Sequence, residues 1–567
     1  MESNYWRAHW QREQSRRRVL GLAGQAAAGA TALAVIGCGD DDSSGPSKVI
    51  QPGLPTAPST ETPRTGGTVR LLSGEPNTGF DPHLTQDVRT GTMLALSHSF
   101  LVRRKQGPEL VPTSLTLEGD TAAGMPEQPD PLTYRFKLRP NVTWHDKAPV
   151  NGRAATAEDW KYSLERAVSV ISLFKGAIPF DTITAPDAST LVIKTKAPHP
   201  DLLFQLGLGQ KFWLLAPEVE KALGDFKNPK SVIGTGPFML DSFTASSVYK
   251  FIRNPKYFEA GLPYVDGVQF DISDDPSRPL SLFLANQTDF YPSVKRDNVA
   301  VLKKSRPDAV VDEYLGARGD QLIFRSDKPP FTDPRVRRGL SMALDRDSWK
   351  TNLLGGVGET DFPVSYAMPE WRMSEAAIGD SRKWHKYNPT EAKALLDAAA
   401  FDYSQTLSLE MTTARYGAYY GTVGQLIASD LKKIGVNTKI LELESAAFAA
   451  KMINGNNPDQ LVWTAKSVIE SVNYFLGSWY TPKGDLWYGK ANDPALNSLV
   501  EEQSRTVDAT KRKTLVDQAQ KLIMDQAFAT WGVMGNNFDA SSPKLRNFRY
   551  KQSEAWPAGL RNAWLAP

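Results

Sequence analysis

TYRFKLRPNVTWHDKAPVNGRAATAEDWKYSLERA, residues Thr133–Ala167, places a strand and a capped helix within one short run. Tyr134, Phe136 and Leu138 alternate with Arg135, Lys137 and Arg139, the period-two pattern of a strand with one buried face. Thr156-Ala157-Glu158-Asp159 then reads as a capping start, and Trp160, Leu164, Ala167 and Val168 recur at helical spacing. The same devices return farther along. Asp333-Pro334 supplies an N-cap with proline at the first helical position, followed by Val336, Leu340, Ala343 and Leu344 on one face. Asn388-Pro389-Thr390-Glu391 repeats the arrangement before Ala392, Leu395, Leu396 and Ala399. Ile427, Leu431 and Ile434 line a helix that stops at Gly435, after which Val436, Thr438 and Ile440 alternate as a strand. Strands alternating with capped helices predict an α/β fold, layered in more than one lobe.

The chain has 567 residues, enough for several cores, with 41% hydrophobic and 23% charged residues, the range of ordinary globular proteins. Its formal charge of +3 resides at the N-terminus, where Arg7, Arg12, Arg16, Arg17 and Arg18 face Glu2 and Glu13. The rest is neutral, so the body has no field with which to gather phosphates, and nucleic acid is not expected as a partner. Cys38 is the one cysteine, which excludes an internal disulfide and a cysteine metal site. The six histidines, His9, His83, His98, His145, His199 and His385, never fall at helical ligand spacing. They are expected at the surface or in loops, and no metal or cofactor is expected.

Arg16-Arg17 immediately precede Val19–Gly37, a stretch made largely of Ala and Gly and only weakly apolar for a permanent span. A basic region, a mild apolar region and small residues at its end predict an export signal, and the paired arginines resemble the twin-arginine type. Val35-Ile36-Gly37-Cys38 resembles the lipobox of bacterial lipoproteins, which implies cleavage and diacylation at Cys38 and a tether to the membrane. Residues 39–65, with Asp40-Asp41-Asp42 and prolines at 46, 52, 55, 58 and 63, show no apolar periodicity and are expected to form a disordered spacer. As a flexible coil this spacer would reach roughly 30 Å.

No catalytic motif is present. Gly484-Asp485-Leu486-Trp487-Tyr488-Gly489-Lys490 has the spacing of a phosphate-binding loop, but Ala491 stands where the magnesium-binding hydroxyl belongs. Neither a Gly-x-Ser-x-Gly elbow nor a His-Glu-x-x-His pair occurs. Carboxylate pairs for glycoside hydrolysis stay open, since the fold sets their geometry.

Several segments together resemble one family. They are Gly66-Gly67-Thr68-Val69-Arg70, Phe80-Asp81-Pro82-His83, the run Thr133–Ala167, and Ile233-Gly234-Thr235-Gly236-Pro237-Phe238. Arg253-Asn254-Pro255-Lys256-Tyr257-Phe258, Pro263-Tyr264-Val265-Asp266, Pro329–Arg346 and Tyr387–Leu396 continue the series in order. The set resembles the large extracellular solute-binding proteins, family 5, of the ABC importers for peptides, nickel and opines. The loop departs from that pattern at Asp146-Lys147, where the family usually has Asp-Gly.

The resemblance implies a two-lobed fold of the three-segment type, with a ligand cleft between the lobes. Residues 66–113, 232–320 and 536–567 would form domain I, residues 114–231 a second domain packed on it, and residues 321–535 domain III, the opposing lobe. It implies a monomer with no enzymatic activity, delivering a peptide or other small solute to a permease and its ATPase subunits. It also implies that a tryptophan-bearing loop of domain III lines the cleft, here Val462–Phe475. Peptide binders usually carry an aspartate shortly after that tryptophan. Here Lys466 follows Trp463 and the nearest acid is Glu470, which lends weight to an uncharged or anionic solute. Arg415, Tyr416 and Tyr419, with Tyr420, form the second expected wall, and Trp479, Tyr480, Trp487 and Tyr488 are expected to line or shield the opening. A lipid-anchored hydrolase acting on peptides or oligosaccharides and a structural or chaperone-like lipoprotein are the competing readings.

Overall fold

The computed structural model describes residues 59–567 except 74–78, 85–87, 171–177, 208–211, 317–318, 366–367, 413–417, 454–458, 467–470, 485 and 552–555. Arg16, Arg17 and Cys38 lie outside the described residues, as do Arg415, Tyr416 and Glu470. Among the described residues, no helix is long and apolar enough to cross a membrane.

Three large sheets organise the chain. Thr133–Lys137 pairs between Glu127–Asp130 and Thr190–Thr195, and Phe180–Asp187 closes this four-stranded sheet. Tyr134 and Phe136 point into the core while Arg135 and Lys137 face outward, as the alternation predicts. The helix Ala157–Val170 covers the sheet with Trp160, Leu164 and Ala167. Its start is fastened by the Asp159 carboxylate, which accepts from the Thr156 N–H at 2.8 Å and takes the Arg153 fork at 2.7 and 2.8 Å. The predicted caps Asp333 and Asn388 both form, accepting from the N–H groups of Arg335 and Glu391.

A seven-stranded sheet runs in the order Val310–Leu315, Asn536–Ser541, Phe290–Tyr291, Thr68–Ser73, Gly267–Ile272, Val248–Arg253 and Phe238–Thr244. The turn at Gly234 and Gly236 joins it to the four-stranded unit. A Cβ on Gly234 would lie 1.9 Å from the Ser97 carbonyl oxygen, so only glycine lets the two backbones meet. His145 secures the contact: its Nδ1 accepts from the Gly234 N–H at 3.2 Å and its Nε2 lies 3.1 Å from the Gly236 oxygen.

His83, His98, His145 and His199 lie in loops, as expected, but burial corrects the surface half of the sequence expectation. His83, His98, His145, His199 and His385 are all buried. Burial pushes His98 and His385 down to about 3 and His145 to about 4, so they serve as neutral rings bonded to nearby backbone and hydroxyl groups. A spacing rule finds metal pairs on helices, but it carries no information about burial.

The third sheet orders Asn437–Glu442, Thr406–Met411, Leu461–Lys466, Gly319–Phe324 and Ala529–Trp531. Helices cover both faces. Pro334–Met342, Arg346–Leu354, Pro389–Ala398 and Ala418–Lys433 pack against Leu322, Phe324, Leu407, Leu409, Leu461 and Trp463. Ile323, Val462, Ala529 and Trp531 join the larger core on the other face.

The chain crosses between the seven-stranded and five-stranded sheets twice, side by side. Val310–Leu315 pairs antiparallel with Asn536–Ser541 in one sheet, and Gly319–Phe324 pairs antiparallel with Ala529–Trp531 in the next. Between them Gly316 donates to the Gly535 oxygen at 3.2 Å.

Candidate functional site

Thr406–Met411 and Leu461–Lys466 run parallel, and Gly319–Phe324 runs antiparallel to the latter with Gly319 opposite Lys466. The chain therefore leaves the sheet at Met411 and Lys466 and enters it at Gly319, all at one end. This end holds the carboxyl ends of two parallel strands, where open α/β sheets place their ligands. Arg415 and Tyr416 follow Met411 closely in sequence, and Glu470 follows Lys466 by four positions.

Lys466 sits fully buried at this end. Its ammonium pairs with Asp361 Oδ2 at 2.5 Å, donates to the Phe362 carbonyl oxygen, and lies 5.6 Å from the centroid of the Phe475 ring. Burial pushes its pKa down, and Asp361 opposes that shift. The Asp361 carboxylate is packed so closely on the strand that a Cβ on Gly319 would lie 1.8 Å from Oδ2. Gln321, two residues along the same face, accepts from the Tyr480 hydroxyl at 2.8 Å, while its buried Nε2 has no hydrogen-bond partner among the described residues. Asp361 Oδ1 likewise has none. Lys466 is thus a neutralised member of a buried polar cluster, and its ammonium is not open to a solute in this structure.

Trp463 points to the opposite face of the sheet from Lys466. Its side chain is buried in the core, edge-on to Trp349 at 6.3 Å and to Tyr420 at 6.4 Å. The indole therefore packs beneath helices instead of lining a cleft wall, because a strand covered on both faces buries both sets of alternating side chains. Tyr420 is buried beside it and donates to Asp320 Oδ1 at 2.8 Å. Tyr419 is half-buried against the same core, with its ring 6.0 Å from that of Tyr420. Trp479, Tyr480 and Tyr488 are also core residues, and Trp487 is half-buried. Sequence reasoning missed Asp361 and Gln321. No local signal marks Asp361, which lies more than a hundred residues from its partner.

Two layered units joined by a double crossing define a two-lobed fold. Comparison with known proteins agrees. The profile of the bacterial extracellular solute-binding proteins, family 5 Middle, matches residues 116–487, and the chain belongs to that family. This is a family of binding proteins for importers, not of enzymes. Di/tripeptide-binding protein 2 of Pseudomonas aeruginosa is 24% identical over 472 residues, covering 78% of this chain and 86% of that protein. Among solved structures, the ABC transporter substrate-binding protein CtaP of Listeria monocytogenes superposes with a TM-score of 0.75 at 17% identity, covering 89% of this chain and 100% of the other. The DppA protein of Helicobacter pylori, in complex with the peptide STSA, gives a TM-score of 0.72 at 20% identity over 89% of this chain and 99% of that one.

Proposed function

We propose that this chain is the exported, lipid-tethered receptor of an ABC importer, taking a short peptide or a related small solute between its lobes. The family match across residues 116–487 carries the reading. Peptide is favoured as the solute class because the curated relatives named for a ligand, including the Pseudomonas protein, are peptide binders, as is the Helicobacter protein, while solved structures of the same fold in complex with mannopinic and agropinic acid keep opine-like solutes in view. The working lobes are those expected from the sequence: residues 66–113, 232–320 and 536–567 with 114–231 on one side, and 321–535 on the other. The solute would lie at the sheet end bounded by Met411, Lys466 and Gly319, with Arg415, Tyr416, Tyr419 and Glu470 as its closest charged and aromatic candidates. Because Lys466 and Asp361 neutralise each other, the charge preference of the site falls to Arg415 and Glu470. Solute stabilises a closed state only by contacting both lobes. Cys38 would carry the acyl chains after export by the twin-arginine route, and the permease and ATPase would receive a monomer.

A thermal-shift screen of short peptides, opine-like conjugates, sugars and metal chelates tests the reading. A ligand at a hundred times its Kd adds about 2.7 kcal/mol to the folded state. Short peptides are expected to raise the melt, and a screen in which no class of small solute does so refutes the proposal. Mass spectrometry of the mature N-terminus tests the anchor, which an unmodified Cys38 thiol would exclude.

A further inference from the structure

Asp201 lies between the strand Thr190–Thr195 and the helix Leu202–Gly207, in the unit built on the four-stranded sheet. Arg512 lies on the helix Ala509–Gln526, in the unit built on the five-stranded sheet. Their side chains meet in a bidentate ion pair at 2.7 and 2.8 Å, with Arg512 fully buried and Asp201 nearly so. The geometry is that of a fork on a carboxylate, the strongest form of such a contact. Arg512 also donates to Gln503 Oε1 from Nε and Nη2, each at 3.2 Å, and its guanidinium lies 4.9 Å from the centroid of the Trp371 ring. Gln503 in turn donates to Asn473 Oδ1 at 2.7 Å. Burial alone would raise the pKa of Asp201, but Arg512 holds it below the ordinary carboxylate range, so the pair is ionised.

Ser471 and Asn473 follow Glu470 within three positions of the sequence. Asn473 is therefore fastened to Arg512 through Gln503, and Arg512 to the opposite unit through Asp201. The two fastenings share one guanidinium.

We propose that the ion pair of Arg512 with Asp201 latches the two lobes together. The proposal rests on the two-lobe reading given above. Opening the lobes would part Asp201 from Arg512 and expose two charges to water. Closure would restore both bonds of the fork together.

The full chain tests this as wild type, Asp201→Asn and Arg512→Lys, with Arg549→Lys for comparison. Arg549 makes an equally short bidentate pair with Asp312, at 2.6 and 2.7 Å, but both partners belong to the seven-stranded unit. Radii of gyration are measured by solution scattering without added solute, alongside melting temperatures. Asp201→Asn removes one charge of a buried pair and is expected to move the closed-to-open ratio toward open by about a hundredfold, enlarging the particle. Arg512→Lys keeps the charge but loses the fork, and should enlarge it less. Arg549→Lys should lower the melt and leave the radius unchanged. Equal radii in all four proteins would overturn the latch, as would an Asp201→Asn variant whose melt falls while its radius matches the wild type. Expansion in a protein that binds no solute would instead refute the transport reading and leave the latch standing.

Discussion

Replacing Trp463 by alanine separates a packing role from a binding role. The indole is 1% exposed, with Trp349 and Tyr420 edge-on to it. Its outer edge lies over Gly532, where an added Cβ would sit 2.6 Å from Cη2 and 3.1 Å from Cζ2. Deleting such a ring leaves a cavity bounded by a sheet and two helices, which cannot collapse freely. The expected cost is about 3–5 kcal/mol. For a unit of roughly 200 residues this corresponds to a melting point lower by about 10 °C. The contact with Gly532 supplies an internal control. Gly532→Ala clashes with the indole and should destabilise the wild type, whereas in the Trp463→Ala background the added methyl enters vacated space. The two changes should therefore be non-additive, with a coupling of about 1 kcal/mol or more. Circular dichroism melts and urea titrations of the four proteins measure this. Solute affinity well below the melting point should change little. If Trp463→Ala melts with the wild type but loses solute, the indole faces the cleft in solution and the packing argument is wrong.

Three further outcomes follow from buried or terminal charges. Lys466→Met strands the Asp361 carboxylate and should cost about 3–5 kcal/mol in urea unfolding, while the double variant Lys466→Met/Asp361→Leu should recover most of it. Asp539 is raised to about 7 by burial, although the Tyr314 hydroxyl and the Ser293 N–H bond it. A raised carboxyl pKa means that folding favours the protonated form, so its contribution is full below about pH 4 and fades as pH rises through about 7. Asp539→Asn should gain stability over wild type at pH 8 and little or none at pH 4, and an equal difference at both values would contradict the assignment. Arg16→Lys with Arg17→Lys should abolish export, because the fork of arginine is not replaced by an ammonium; normal surface levels of the variant would point to the general secretory route.

The elements were legible in the sequence wherever one local rule decided them. Asp333, Asn388 and the alternation at Tyr134 and Phe136 each depend on neighbours within a few residues, and each forms as read. The strand Leu461–Lys466 shows where that rule stops. Period two correctly separates Trp463 from Lys466, but both faces of this strand are covered, so the pattern cannot say which side meets a cleft. The partners that decide the matter, Trp349 for the indole and Asp361 for the ammonium, come from distant segments and leave no mark near residue 463. Arg512 did leave a mark: it extends the buried stripe of Leu515, Val516, Ala519 and Ile523 by one turn. An arginine on an apolar stripe must find a partner when buried, though its identity as Asp201 required the fold.

The double crossing also bears on where the energy of closure resides. Each sheet carries its own ladder, and the crossing falls between residues 315 and 319 on one strand and between 531 and 536 on the other. The contacts there, Gly316 to Gly535 and Gly532 to Asp320, are backbone bonds beside glycines, which can follow a change in φ and ψ without a side-chain clash. Bending at such a place costs little in either direction, so the crossing permits closure without favouring it. The preference must come from contacts across the lobes. The buried pair of Asp201 and Arg512 is one such contact, and a bridging solute is the other. If the latch alone were strong enough to close the protein, empty and loaded receptors would look alike to a permease. The desolvation cost of burying two charges opposes that outcome, because it cancels much of their attraction. A pair that is sharply oriented yet weak in net free energy leaves solute as the deciding contribution, and a transport receptor requires that division.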